Sequence, residues 1–366
     1  MAYIALYSDY LLMLLMSLIV LSYIKFHLRK MENYRIMWIV EMVSMAAIML
    51  TAAWSISNRP GDIEGDTAVY LDFFETIAIG QSNPFPTLEP GFIWLSTLLT
   101  TIGAHARVLF FLVPVLLSLS YQRLAIKVFG ARSAMTLLTF AALLVYPFFL
   151  SLTANVIRQG IAMALVLYAI TSMIEERPGT ARAASVAALL FHRSSIIVLP
   201  WVFFRKACER IPLWGLLAIW LLVSVASYFS MFKMFATLVF DQLSAFGLSV
   251  NYADAASIDY QTGFRFSFWL FSSISVVFIC AVKLLGYYHS RVTLLFKLSC
   301  YFGIIHISMF DLAYNDRFGL YAWILYPIQI LFLLRCLLIR LTQSIIAGGN
   351  NGVLASAGGH SRISPS

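Results

Sequence analysis

Residues 155–174 read NVIRQGIAMALVLYAITSMI, a polar head followed by an apolar body. No charged residue occurs from Gly160 to Ile174, and an apolar run of about 20 residues crosses a hydrocarbon core of roughly 30 Å. The stretch predicts a membrane-spanning helix. In its head, Asn155, Arg158, Gln159 and Ala162 fall at i, i+3, i+4 and i+7, which places them on one helix face. An ionised group at membrane depth is costly unless protein or water receives it. Arg158 therefore requires a reason, and the five donors of a guanidinium suit a phosphate or pyrophosphate.

The same pattern of apolar runs fills the chain. Of 366 residues, 61% are apolar and 11% charged, with a mean hydropathy of +0.85; soluble domains carry roughly 25% charged residues. A soluble globule of this size could not keep so much apolar surface from water. Disorder, a coiled coil and nucleic-acid binding are excluded by the same figures. The fold class is an all-α polytopic integral membrane protein. Runs of crossing length lie near 6–24, 36–54, 107–122, 133–152, 155–174, 213–232, 266–285, 292–311 and 318–338. Two pieces do not fit: Phe92 to Ile102 is too short, and Ala183 to Phe204 is interrupted by His192-Arg193. Irregular backbone at membrane depth needs protein or a wet cavity around it. These two read as a half-helix and a re-entrant hairpin, giving nine full transmembrane helices plus two partial ones, with eleven crossings as the alternative. Residues 1–342 form a single transmembrane domain with large outer loops at 55–90 and 233–264. The Gly/Ser/Asn-rich stretch 343–366 reads as a disordered cytoplasmic tail.

Loop charges orient the bundle. Residues 25–35 carry Lys25, Arg29, Lys30 and Arg35 against Glu32, a net of +3. Residues 55–90 carry Arg59 against Asp62, Glu64, Asp66, Asp72, Glu75 and Glu89, a net of −5. Positive loops stay cytoplasmic. The N-terminus and the 55–90 loop are thus expected outside, and the loops of Arg123, Lys127 and Arg132 and of Arg205, Lys206 and Arg210 inside. The overall charge of +8 is topological, with no nucleic-acid partner behind it. Leu6 to Tyr23 lacks the basic lead and cleavage site of a signal peptide and reads as a retained helix. Cys208, Cys280, Cys300 and Cys336 form no CxxC pair or His-Cys cluster and read as small core residues.

Other polar residues sit where apolar ones are expected. His192-Arg193-Ser194-Ser195 must face protein or water: Arg193 reads as a second anion-binding cation, His192 as a general base or a donor to an anion. The stretch from Tyr314 to Tyr321 brings Asn315, Arg317 and Tyr321 to the same side of the membrane. The acidic loop supplies Asp62, Asp66, Tyr70 and Glu89 as bases or ligands for sugar hydroxyls. Polar and aromatic residues between Asp241 and Gln261 could also touch a sugar. Glu41 and Lys297 read as buried partners of each other. No HxxxH, Walker or GxSxG pattern occurs, which weighs against a zincin, an ATP motor or a serine hydrolase.

Five motifs in order carry a likeness: Asp62…Asp66…Tyr70, Glu89-Pro-Gly-Phe92, Asn155-x-x-Arg-Gln-Gly-Ile-Ala162, Phe191-His-Arg-Ser194 and Asn315-x-Arg-Phe-Gly-Leu-Tyr321. Through them the chain resembles the EpsG family, a branch of the Wzy-type O-antigen and exopolysaccharide repeat-unit polymerases. The resemblance covers roughly residues 60–325 and is most specific at the Arg-Gln-Gly and Phe-His-Arg-Ser motifs. It implies a lipid-linked-donor glycosyltransferase of the bacterial inner membrane, its active site facing the periplasm. The substrates implied are undecaprenyl-pyrophosphate-linked oligosaccharides; membrane lipids and a chain-length regulator are the other partners. On this reading Arg158 and Arg193 bind the donor pyrophosphate and stabilise its departure, and Arg317 holds the second lipid's pyrophosphate. Asn155, Gln159, Asn315, Tyr321, Asp62 and Tyr70 contact substrate, and Asp62, Asp66, Glu89 or His192 takes the proton. Three fixed guanidiniums stand in for a divalent ion, so no metal and no cofactor is expected; chelation by Asp62 and Asp66 is the alternative. A flippase of lipid-linked sugars and a membrane O-acyltransferase are the competing readings.

Overall fold

The computed structural model describes residues 34–60, 66–80, 88–131, 133–234, 261–288 and 292–357, together with Met16 and Ser17. Every element among them is helical. In chain order these are α1 (Tyr34–Ser57), α2 (Thr67–Ala78), α3 (Pro90–Thr101), α4 (Ala106–Phe129), α5 (Ala134–Leu144) and α6 (Pro147–Leu150), which enters a π-helical turn (Ser151–Asn155). There follow α7 (Ile157–Ile174), α8 (Pro178–Phe191), a 3-10 turn (Arg193–Val198), α9 (Leu199–Phe203), α10 (Arg205–Arg210) and α11 (Leu213–Tyr228). The chain closes with α12 (Phe266–Leu284), α13 (Thr293–Ser308), α14 (Asp316–Trp323) and α15 (Tyr326–Ala357).

The α7 helix is the axis. Its span is 83% buried, against 22% for Ile39–Ser57 in α1, and it packs on α4 and α8. Gly160 permits the closest of these approaches. A Cβ there would stand 2.1 Å from the Leu152 carbonyl oxygen and 2.8 Å from Val113 Cγ1, so only glycine lets α7 pass the π turn and α4. In contrast α1 shows Ile39, Met42, Val43, Leu50 and Trp54 outward, the face a lipid-contacting helix presents.

Among the described residues, five helices are long and apolar enough to cross a membrane: Ile39–Ser57, α4, α7, α12 and Asp316–Ser344, the last spanning α14 and α15. A sixth span is α5 with Pro147–Asn155, bent by 61°. The bend follows from Tyr146-Pro147, because a residue before proline avoids the helical region and Tyr146 adopts φ −80°, ψ 126°. The nine-crossing expectation is thus met only in part. Residues 6–24 lie outside the described residues. The α11 and α13 helices have 16 residues each, about 24 Å of rise, short of the core thickness. The runs read at 213–232 and 292–311 had counted flanking turns as helix. The two partial pieces appear as expected: α3 is a 12-residue helix, and the 183–204 piece breaks at His192. Composition from residue 343 onward predicts no regular structure, yet α15 continues to Ala357. Of the outer loop expected at 233–264, residues 235–260 lie outside the described residues.

Charge separates the bundle's two ends. At one end Glu175 pairs with Arg123 and Lys127 at 2.9 Å and Arg177 at 3.4 Å. Arg205 Nη1 donates to the Met173 carbonyl at 2.9 Å and Arg335 Nη1 to that of Phe129 at 3.3 Å. Lys297 is here too, and it corrects one expectation: its ammonium donates to the carbonyls of Glu209 and Ile211 (2.5 and 2.8 Å) and not to Glu41. Among the described residues, the basic loops around Arg123 and Lys127 and around Arg205 therefore share one end, while Asp66, Glu89 and Arg158 occupy the other.

Candidate active site

Five separate elements meet around Arg158. Asp66 precedes α2, and its backbone N–H donates to Asn155 Oδ1 at 3.2 Å. One turn on, the Tyr70 hydroxyl donates to Asp66 Oδ2 at 3.4 Å. Arg158 Nε donates to the same hydroxyl at 3.3 Å, and its Nη1 forms an ion pair with Glu89 Oε2. The remaining Glu89 oxygen accepts the Arg193 backbone N–H at 3.3 Å. Asn155, Asp66, Tyr70, Arg158, Glu89 and Arg193 thus form one continuous chain from the π turn to the tip of the hairpin. Burial pushes the Tyr70 hydroxyl above its ordinary pKa, partly offset by Arg158 beside it, so it stays a neutral donor to Asp66.

Local sequence explains this convergence. Glu89 is the N-cap of α3, with proline at the first helical position. Gly91 follows because a Cβ there would stand 2.7 Å from the Leu190 carbonyl oxygen. Glycine in the Glu-Pro-Gly motif lets α3 touch the end of α8, which brings Glu89 to the hairpin tip. At the tip His192 turns to φ −157°, ψ 122° and ends α8.

A second wall faces the first. His192 Nδ1 accepts the Ser194 backbone N–H at 3.3 Å and lies 2.6 Å from Ser194 Oγ. An amide N–H can only donate, so Nδ1 carries the lone pair and the neutral ring keeps its proton on Nε2. The Tyr321 hydroxyl sits 2.9 Å from both Ser194 Oγ and Ser195 Oγ. Gln159 Nε2 donates to the Arg317 carbonyl, which ties α7 to α14. Asn315 is fully buried and spans the carbonyls of Phe310 and Leu312 (3.1 and 3.0 Å). Tyr314 takes φ 56°, left-handed for a non-glycine residue, and Arg317 lies 4.4 Å over its ring.

Two sequence expectations change. Asn155, Arg158 and Gln159 do not form a stripe on one helix: α7 starts at Ile157 after Val156 (φ −95°, ψ 59°), so the three side chains reach three partners. Arg193 is exposed, and what it gives the Arg158 cluster is its backbone amide. Asp62 lies outside the described residues. Arg265, not singled out from sequence, belongs here: its Nη2 donates to Asn315 Oδ1 at 3.1 Å and its guanidinium covers Phe268 at 3.6 Å. The signal was present, an arginine opening an apolar run at the end away from the basic loops, as Arg158 does. Ser194 and Ser195 were likewise quoted but given no task; they position Tyr321.

Arg158 lies against the carboxylate of Glu89 and, through Tyr70, that of Asp66; Arg317 is tied to α7 through Gln159, Arg265 reaches the same loop through Asn315, and Arg193 stands at the edge. Such a set neutralises a multiply charged anion next to a base. No curated protein and no solved structure matches the chain. The EpsG family model matches residues 42–348, which take in every site residue named above. The chain belongs to the EpsG family and is a membrane protein of polysaccharide biosynthesis.

Proposed function

We propose that the protein is a glycosyltransferase that joins undecaprenyl-pyrophosphate-linked oligosaccharide repeat units into a polysaccharide on the outer face of the bacterial inner membrane. The observation that carries this reading is the holding of Arg158. Glu89 takes one Nη1 proton and Tyr70 takes Nε, leaving Nη2 and the second Nη1 proton for a ligand. A cation fixed this way offers its donors to a pyrophosphate without reorganising.

The reaction follows from that placement. A hydroxyl of the acceptor sugar attacks the anomeric carbon of the donor. The anomeric C–O bond breaks, its electron pair passes to the pyrophosphate, and the hydroxyl proton passes to a base. Arg158, with Arg317 and Arg265, stabilises the negative charge that develops on the leaving group. Glu89 is a poor base here because both its oxygens are engaged, by Arg158 and by the Arg193 amide. Asp66 has one oxygen engaged, by Tyr70, and is only half-buried, so it is the base. His192 presents Nε2–H and acts as a donor to the anion. Loss of the protein then leaves single repeat units displayed at the cell surface; loss of a flippase leaves none, and that outcome would overturn the reading. With the arginines carrying the diphosphate charge, purified enzyme in excess EDTA keeps its activity. Activity lost with EDTA and restored by Mg²⁺ moves Asp66 from base to metal ligand.

A further inference from the structure

At the basic end, opposite Arg158, lie two cavities with a common wall. One of about 450 Å³ is lined by Arg205, Arg210, Tyr288 and Lys297, among others. The second, of about 740 Å³, shares Glu176, Arg205 and Glu209 with the first and adds Arg182, Lys206, Phe203 and Phe204. Both are of ligand size, roughly 300–1,000 Å³. Five cations, Arg182, Arg205, Lys206, Arg210 and Lys297, line the pair against the carboxylates Glu176 and Glu209. Of these carboxylates, Glu209 is already engaged by Arg205 Nε at 2.5 Å.

Lys297 is the residue that asks for a ligand. It is 7% exposed and makes no ion pair among the described residues. Its ammonium has three donors, and two go to the carbonyls of Glu209 and Ile211. The third is left beside the cavity, with the Tyr288 ring 5.6 Å from Nζ. Its carboxylate neighbour, Glu209, is already paired with Arg205, so this buried ammonium favours a further anion next to it. The other requirement comes from Phe203 and Phe204, which line the second cavity and are exposed at the bundle's perimeter. A soluble anion has no use for that aromatic wall, whereas acyl chains do.

We propose that the double cavity binds the phosphodiester headgroup of an anionic phospholipid, its phosphate beside Lys297 and its chains along Phe203 and Phe204. Basic pockets between transmembrane helices recognise such headgroups. The rim cations Arg182 and Arg210 add to the attraction, and the site is independent of the chemistry proposed at Arg158.

The test uses the full chain, purified in mild detergent and stripped of lipid, with bound lipid counted by native mass spectrometry. Phosphatidylglycerol is expected to remain as an adduct where phosphatidylcholine with the same chains does not. Free glycerol 3-phosphate at equal concentration is expected to bind far more weakly. Arg182→Gln and Arg210→Gln, both exposed positions, each lower phosphatidylglycerol occupancy about fivefold, and Lys297→Met lowers it further. Should Lys297→Met fail to fold, the two rim variants carry the test. Equal retention of the two lipids, or rim variants without effect, overturns the site. Glycerol 3-phosphate binding as well as phosphatidylglycerol overturns the lipid and leaves a plain phosphate site.

Discussion

The two ends of α7 both carry ion pairs, built on opposite plans. At one end a single cation, its side chain 17% exposed, is shared by a carboxylate that is 6% exposed and a phenol. At the other a single carboxylate is ringed by Arg123, Lys127 and Arg177, whose side chains are 34%, 43% and 63% exposed. Exposed pairs contribute about 0–1 kcal/mol each, whereas breaking a buried pair costs about 3–5 kcal/mol. By that measure the Glu175 cluster, richer in contacts, is the weaker one and serves to fasten α4 to α7. The Arg158 cluster joins its elements through a buried charge where neutral contacts could do the same, and the proposed chemistry gives that charge its use.

The contrast has meaning only if the two ends face opposite sides of a membrane, and this gives the largest effect, all or none. Ala78 and Gly179 are exposed, and a side chain at 179 meets nothing within 4 Å. With the native cysteines replaced, Ala78→Cys is expected to react with an impermeant thiol reagent in intact spheroplasts, and Gly179→Cys only after lysis. The reverse result inverts the bundle and removes the outer-face reaction.

Next come the reacting groups. Asp66→Asn keeps an oxygen to accept from Tyr70, so the thermal midpoint should stay at the wild-type value while turnover falls about 10²–10⁴-fold, the range of a lost general base. Arg158→Lys cannot meet Glu89, Tyr70 and a pyrophosphate together, and turnover should fall about 10²–10³-fold, seen on a gel as single repeat units in place of a ladder. Arg193→Lys keeps the amide that Glu89 accepts, so its loss should be smaller, about fivefold or less, the worth of one exposed charge contact. An Arg158→Lys ladder of full length sinks the proposed chemistry.

Much of the Arg158 end was legible beforehand, because charge in an apolar run is a signal that survives any error of boundary. Arg158 and the break at His192 stood out on that ground, whereas Glu89-Pro-Gly stood out only as a loop motif of the family resemblance. What could not be read was direction. The π turn and the Val156 break depend on Leu152 and Val113 closing on Gly160, a tertiary contact with no local pattern, so an assumed continuous helix put Asn155 beside Arg158. The crossing count is met only in part for a related reason: apolar turns after α11 and α13 look like helix when only hydropathy is read. Arg193 shows the limit most clearly. Its charge was conspicuous, yet the geometry uses its amide.

Glu89→Gln moves from turnover to stability. The amide fills the same space and still accepts from Arg193, but Arg158 then lies in the protein without its counter-charge. Stability should fall by about 3–5 kcal/mol, read as a lowered unfolding midpoint in detergent. Replacing both partners, as in Glu89→Gln with Arg158→Met, should recover part of that loss while leaving the enzyme inactive. A Glu89→Gln protein as stable as wild type means that water reaches the pair, and the contrast with Glu175 collapses.

The smallest effect is expected at Glu175, and its pH dependence separates the two plans. Lys127, then Arg123, hold the Glu175 carboxyl below the usual carboxylate range despite some burial. A depressed folded-state pKa adds stability that is present above the unfolded value, about 4.3, and is lost as pH falls through the folded value. The partners are solvated, so Glu175→Gln should cost about 1 kcal/mol or less near neutral pH. As pH falls through that depressed value the wild-type carboxyl protonates too, and the two midpoints should converge. Added salt should narrow the neutral-pH gap as well, because exposed pairs beyond a few ångströms are screened. Unfolding midpoints of both proteins from pH 7 to pH 3, at low and high salt, test this. A gap as large as that of Glu89→Gln, or one indifferent to salt, means that the Glu175 cluster is effectively buried and that the ends of α7 differ in composition and not in kind.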